Sequence, residues 1–141
     1  SFEQETEILA RHHRGLDPHD VVAAGVVPVA NAADLALARQ QVDRVDVQPT
    51  VQQYIVAIFR ATRESPSVEL GVSPRGAASL LHAAKAWAWL SGRSFVTPDE
   101  VKAVAKPVLR HRLIIRPELE LDGVSSDGLL DSVLATVPAP R

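Results

Sequence analysis

Ser73-Pro74-Arg75-Gly76-Ala77-Ala78-Ser79-Leu80-Leu81-His82-Ala83-Ala84-Lys85-Ala86-Trp87-Ala88-Trp89-Leu90 is too long for a typical strand, and its apolar residues recur at helical spacing. Pro74 suits a first helical position, where its missing N–H is no loss, and Gly92 is placed to end the helix. The spacing predicts a helix over 74–90 with Ala77, Leu80, Leu81, Ala84, Trp87 and Ala88 turned inward. By this reading Trp87 belongs to the core, whereas Trp89 falls off the stripe and is the better candidate for an exposed interface residue. Alanine at so many inward positions requires neighbouring helices to approach closely, which points to an all-α class and a small helical bundle.

Working outward, Thr97-Pro98-Asp99-Glu100 combines an N-cap hydroxyl, proline at the first helical position and two acids at the positive helix end. A helix carrying Val101, Val104 and Ala105 follows, and Pro107 either breaks or kinks it before Leu109, Arg110, His111 and Arg112. Alternation of Leu113, Ile115, Leu119 and Leu121 with polar residues suggests an extended segment from Leu113 to Asp122, with Val45–Val47 a candidate partner. A closing helix spans about 126–137. Upstream, Pro49 opens a helix whose stripe is Val51, Tyr54, Ile55, Ile58, Phe59 and Thr62. Asn31 caps an earlier amphipathic helix with Leu35, Ala38, Val42 and Val45 inward. Asp17-Pro18 opens a short turn, and Ser1 with Gln4 forms a reciprocal cap for a helix ended by Gly15.

The chain has 141 residues, 46% of them hydrophobic but only 4% aromatic, enough for one modest core and a single helical domain over 1–141 with the bundle at 31–137. A net charge of −2 with interspersed signs gives no basic field for nucleic acid, even though Arg110, His111, Arg112 and Arg116 cluster locally. The absence of cysteine excludes disulfides and thiolate metal sites and fits a reducing, cytoplasmic setting. No apolar run reaches the roughly 18 residues of a membrane span, and Ser1-Phe2-Glu3-Gln4-Glu5 does not read as an export signal.

Gly71 and Gly76 have the separation of a phosphate loop, but Ala77 and Ala78 stand where its lysine and hydroxyl residue belong, and no apolar strand is read before Gly71. His12, His13, His19, His82 and His111 form no zinc pattern, so no metal site is expected, and His12 and His13 suit the negative end of a helix. No nucleophile elbow is present. Arg75 breaks a local rule, because a cation in the first turn of a helix faces the positive macrodipole end. Helix-start N–H groups and a guanidinium together suit a phosphate oxygen; the competing reading is a solvated arginine tolerated at a cost of up to about 1 kcal/mol.

Gly71-Val72-Ser73-Pro74-Arg75-Gly76, followed by Leu80-Leu81, Ala83-Ala84-Lys85-Ala86 and Gly92-Arg93, resembles the lid of MoxR-family AAA+ ATPases. Phe95-Val96-Thr97-Pro98-Asp99-Glu100-Val101-Lys102 and Val108-Leu109-Arg110-His111-Arg112-Leu113 resemble two further blocks of that family in the same order, and Tyr54-Ile55-Val56 with Arg60-Ala61-Thr62-Arg63 resembles the preceding lid helix. The resemblance implies that Arg75 is the second-sensor residue, nucleotide-binding together with Ser73 and Pro74, and that residues 1–14 lead out of an ATPase core. It implies ATP and Mg2+ as cofactors of the intact enzyme and none bound to this chain alone. It further implies partners in the ATPase core, neighbouring subunits of a ring such as a hexamer, and protein substrates of a chaperone-like activity. Walker motifs, first sensor and arginine finger are not found in these residues, so the chain by itself is not expected to hydrolyse ATP. The rival expectation is a helical adaptor module without a nucleotide role, using Trp89, Arg110 and Arg112 as interface anchors.

Overall fold

The computed structural model describes residues 1–17, 19–23 and 25–140. The turn expected at Asp17-Pro18 involves Pro18, which lies outside the described residues. The chain forms two compact units, Ser1–Leu37 and Ala38–Arg141.

In the first unit, α1 (Phe2–His13) begins with the expected reciprocal cap between Ser1 and Gln4, and Gly15 follows its end at φ +89°, a conformation open to glycine. Arg11 and Arg14 both pair with Glu7 on its surface. The start of α2 (Ala32–Asp43) is capped by Asn31, whose Oδ1 accepts from the amides of Ala33 and Asp34 at 2.8 and 3.1 Å.

The second unit holds all the buried apolar residues among those described. Its frame is α3 (Pro49–Glu64), α4 (Pro74–Leu90), α5 (Pro98–Leu109) and α7 (Ser126–Thr136), with a 3-10 turn over Arg110–Arg112 and a short α6 (Pro117–Leu121). α3 buries Val51, Tyr54, Ile55, Ile58 and Thr62, as its stripe requires. α4 spans the expected residues and buries Gly76, Ala77, Leu80, Ala84 and Ala88; the small side chains let α5 lie close, with Val101, Val104, Ala105 and Leu109 turned inward. α5 begins with the Thr97/Glu100 capping box. Lys106 and Arg110 pair with Asp131 and Asp127, tying α5 and the 3-10 turn to α7.

Four local expectations are corrected. Pro107 does not interrupt α5, because it lies in the last turn with its ring in water, where one missing N–H is tolerated. The segment from Leu113 to Asp122 is extended only over 113–116, which includes β2 (Ile114–Ile115); Pro117 then takes the first position of α6. β2 pairs antiparallel with β1 (Val68–Leu70), matching Val68 to Ile115 and Leu70 to Ile114, rather than with Val45–Val47. Asp46 instead makes a single parallel bridge to Phe95. A short strand therefore does precede Gly71. The fourth correction is an exchange of the two tryptophans: Trp87 is 49% exposed, while Trp89 is half-buried and donates its indole N–H to Gln41 Oε1 at 3.0 Å. Gln41, Arg44 and Val45 line the side of the last turn of α4 that carries Trp89, a neighbour that helical periodicity cannot reveal.

Among the described residues, no helix is long and apolar enough to cross a membrane.

Candidate functional site

The loop Gly71-Val72-Ser73 and the first turn of α4 are built on the last turn of α3. Thr62, fully buried, donates its hydroxyl to the Phe59 carbonyl at 2.7 Å, and the same oxygen accepts from the buried Val72 N–H at 3.1 Å. One hydroxyl thus satisfies an amide that would otherwise be buried without a partner. Gly71 packs so closely on α3 that a methyl built there would stand 2.8 Å from Arg63 Cα and 2.9 Å from its nitrogen. Only a residue without a side chain fits, so the loop has one path off the helix.

Ser73 then caps α4. Its backbone is extended, its hydroxyl accepts from the Gly76 amide at 3.3 Å, and Pro74 occupies the first helical position. Arg75 follows, exposed, its guanidinium bonded to no other described residue; its carbonyl accepts from Ser79 Oγ within the helix. Elsewhere in this unit Arg60, Arg93, Lys106 and Arg110 meet acids, whereas Arg44, Arg63, Lys102 and Arg116, like Arg75, form no ion pair among the described residues. The structure therefore presents an unpaired guanidinium beside the exposed start of a helix, on a loop fixed from behind by Thr62 and Gly71.

The sequence-singled residues divide accordingly. Ser73, Pro74 and Arg75 come together in one helix start. Arg110 lies elsewhere, paired with Asp127 at 3.2 Å, and Arg112 donates Nε–H to the Val108 carbonyl at 3.1 Å. Trp89 is placed at the far end of α4. Thr62 carried a visible signal, a hydroxyl on an otherwise apolar stripe; its bond to Val72 crosses ten residues and is not readable from spacing.

In the first turn of α5, Glu100 is 5% exposed. Burial by itself raises its carboxyl, but hydrogen bonds from the Thr97 hydroxyl and amide, the charge of the Arg93 guanidinium 3.0 Å away and a hydrogen bond from its own amide outweigh that and hold it below its ordinary value. This buried cap anchors the start of α5. Among the described residues, no group of three His, Asp or Glu side chains could hold a metal ion.

A family model described as the AAA lid domain matches residues 60–133, from the last turns of α3 into α7. The chain belongs to the AAA lid domain family. Two relatives extend the likeness: the Bacillus subtilis protein YeaC is 32% identical over 99% of this chain and 42% of its own length, and the chaperone MoxR1 of Mycobacterium tuberculosis is 29% identical over 100% of this chain and 38% of its own. The crystal structure of a Cytophaga hutchinsonii protein assigned as an ATPase superposes with a TM-score of 0.79 at 25% identity, covering 100% of this chain and 44% of that one. These likenesses place the lid in the MoxR family of AAA+ ATPases. The lid spans less than half the length of the relatives it matches.

Proposed function

We propose that this lid closes over ATP held by an ATPase core and brings Arg75 to the phosphates as the second-sensor residue. One observation carries the reading: Arg75 is unpaired and exposed at a helix start whose preceding loop is held rigidly by Thr62 and Gly71. A guanidinium so placed stabilises charge developing on a transferring phosphoryl group and distinguishes triphosphate from diphosphate by differential contact. Ser73 and Pro74 set the helix start that orients it. ATP and Mg2+ are cofactors of the intact enzyme, in which residues 1–14 lead from the core. Closure of the lid is a hinge event that couples nucleotide state to neighbouring subunits of a ring in the cytoplasm and to chaperone-like work on protein substrates. The name of the mycobacterial relative as a chaperone supports that last element.

The test is ATP turnover by the ATPase that carries this lid, with and without Arg75→Ala, alongside melting temperature and oligomeric state. Loss of turnover by about tenfold or more, with folding and assembly retained, is expected from one transition-state charge contact. Unchanged turnover would leave Arg75 a surface residue and put the adaptor reading ahead, with Trp87, the exposed tryptophan, as its first candidate anchor.

A further inference from the structure

Gly76 is buried in the first turn of α4, where alanine would favour the helix by about 1 kcal/mol. The reason for glycine lies partly in another element. A methyl built on Gly76 would stand 2.7 Å from Val72 Cγ1 and 3.3 Å from Cδ of Arg112. Arg112 comes from the 3-10 turn that follows α5; it is half-buried, and its Nε–H is held by the Val108 carbonyl at 3.1 Å. The aliphatic stem of Arg112 therefore lies across the face of the helix turn that carries Arg75, with its direction fixed at the far end by a hydrogen bond to α5.

Thr62 and Gly71 fix the loop before α4 from one side. We infer that Arg112 fixes the helix start from the other: it is a positioning residue for Arg75, acting through the contact of its stem with Gly76. This rests on the proposed role of Arg75. The stem is what matters in this reading. The 3-10 turn that bears Arg112 leads through Leu113 into β2, whose partner β1 leads into Gly71, so both chain segments flanking the helix start belong to one packed unit.

The experiment uses the ATPase that carries this lid, measuring kcat and KM for ATP and melting temperature in Arg112→Ala, Arg112→Met, Arg75→Ala and the Arg75→Ala/Arg112→Ala pair. Arg112→Ala is expected to lower kcat by about tenfold and to raise KM for ATP no further than Arg75→Ala does, since it displaces the guanidinium rather than removing it. Arg112→Met keeps an unbranched stem over Gly76 without the charge and is expected to stay within about twofold of the parent. The double variant is expected to be no slower than Arg75→Ala alone, because a residue acting only through Arg75 has nothing left to position.

Three results overturn the inference: Arg112→Met as slow as Arg112→Ala, which assigns the effect to the charge; a double variant slower than Arg75→Ala by the full Arg112 factor; or Arg112→Ala at parental kcat. If Arg112→Ala does not fold, Arg112→Met against the parent decides, with parental kcat expected and a tenfold loss contradicting. If Arg75→Ala alone leaves turnover unchanged, the role of Arg75 fails, and the Arg112 values then report on a different process.

Discussion

Replacing Thr62 by valine removes one oxygen and keeps the shape of the side chain. Thr62 is fully buried, as is Val72, whose amide N–H relies on the Thr62 hydroxyl at 3.1 Å. Orphaning that amide costs about 1–3 kcal/mol, and the lost bond to the Phe59 carbonyl adds less, because that oxygen lies within α3 and keeps access to a helical partner. The expected destabilisation is about 2 kcal/mol, a large share of the 5–15 kcal/mol typical of a whole domain. At about 4 °C per kcal/mol for a domain of this size, the melting temperature should fall by roughly 8 °C. Urea titration followed by circular dichroism, on this chain, reads the loss as a lower midpoint at constant slope. Thr62→Ser is the control, since it keeps both hydrogen bonds and gives up only a methyl, worth about 1 kcal/mol. The reasoning is refuted if Thr62→Val lies within about 0.5 kcal/mol of the parent, or if Thr62→Ser is the more damaging of the two.

Glu100 predicts a pH dependence. Its folded value lies below the ordinary 4.5, so its contribution is fully present above about pH 4.5 and is lost as pH falls through the lower folded value. Glu100→Gln should be less stable at pH 7 by about 1–3 kcal/mol and should lack this part of the acid limb, as read by denaturation between pH 7 and 2.5; an unchanged acid limb contradicts it. Tyr54 is 3% exposed and its hydroxyl has no hydrogen-bond partner among the described residues, so Tyr54→Phe should be neutral or stabilising by up to about 1 kcal/mol, and a clear fall in melting temperature would show an unrecognised bond. Gly71→Ala should destabilise by about 1–3 kcal/mol, because its methyl would meet the Arg63 backbone, which cannot swing away, as well as the Arg63 Cγ at 2.7 Å; an unaltered midpoint would show that the loop has room.

Helices with a strong apolar period are legible from the sequence alone. α3, α4 and α5 follow from stripes of branched or small apolar residues and from caps such as Thr97/Glu100, all of which are local signals. The Ser73-Pro74-Arg75 helix start was legible for the same reason. What escaped was non-local. β1 is three residues long with Glu69 at its centre, too short for alternation to show, and its partner lies more than forty residues away. Trp87 and Trp89 were exchanged because burial at the end of α4 is decided by the Gln41–Val45 segment and not by the phase of the helix. Pro107 looked like a break, yet a proline in a solvent-facing last turn removes little. The supports of Arg75, namely Thr62 on Val72, Gly71 on Arg63 and Gly76 under Arg112, are all contacts between segments, visible in sequence only as a threonine on an apolar stripe and two glycines.

The most direct test of the central claim is the affinity of the lid-bearing ATPase for ATP and for ADP, measured by calorimetry in the parent and in Arg75→Ala. If Arg75 meets the terminal phosphate, the substitution weakens ATP binding by about ten- to a hundredfold, the worth of one charge-assisted hydrogen bond, while ADP binding changes much less. Equal affinities in parent and variant for both nucleotides would contradict the account.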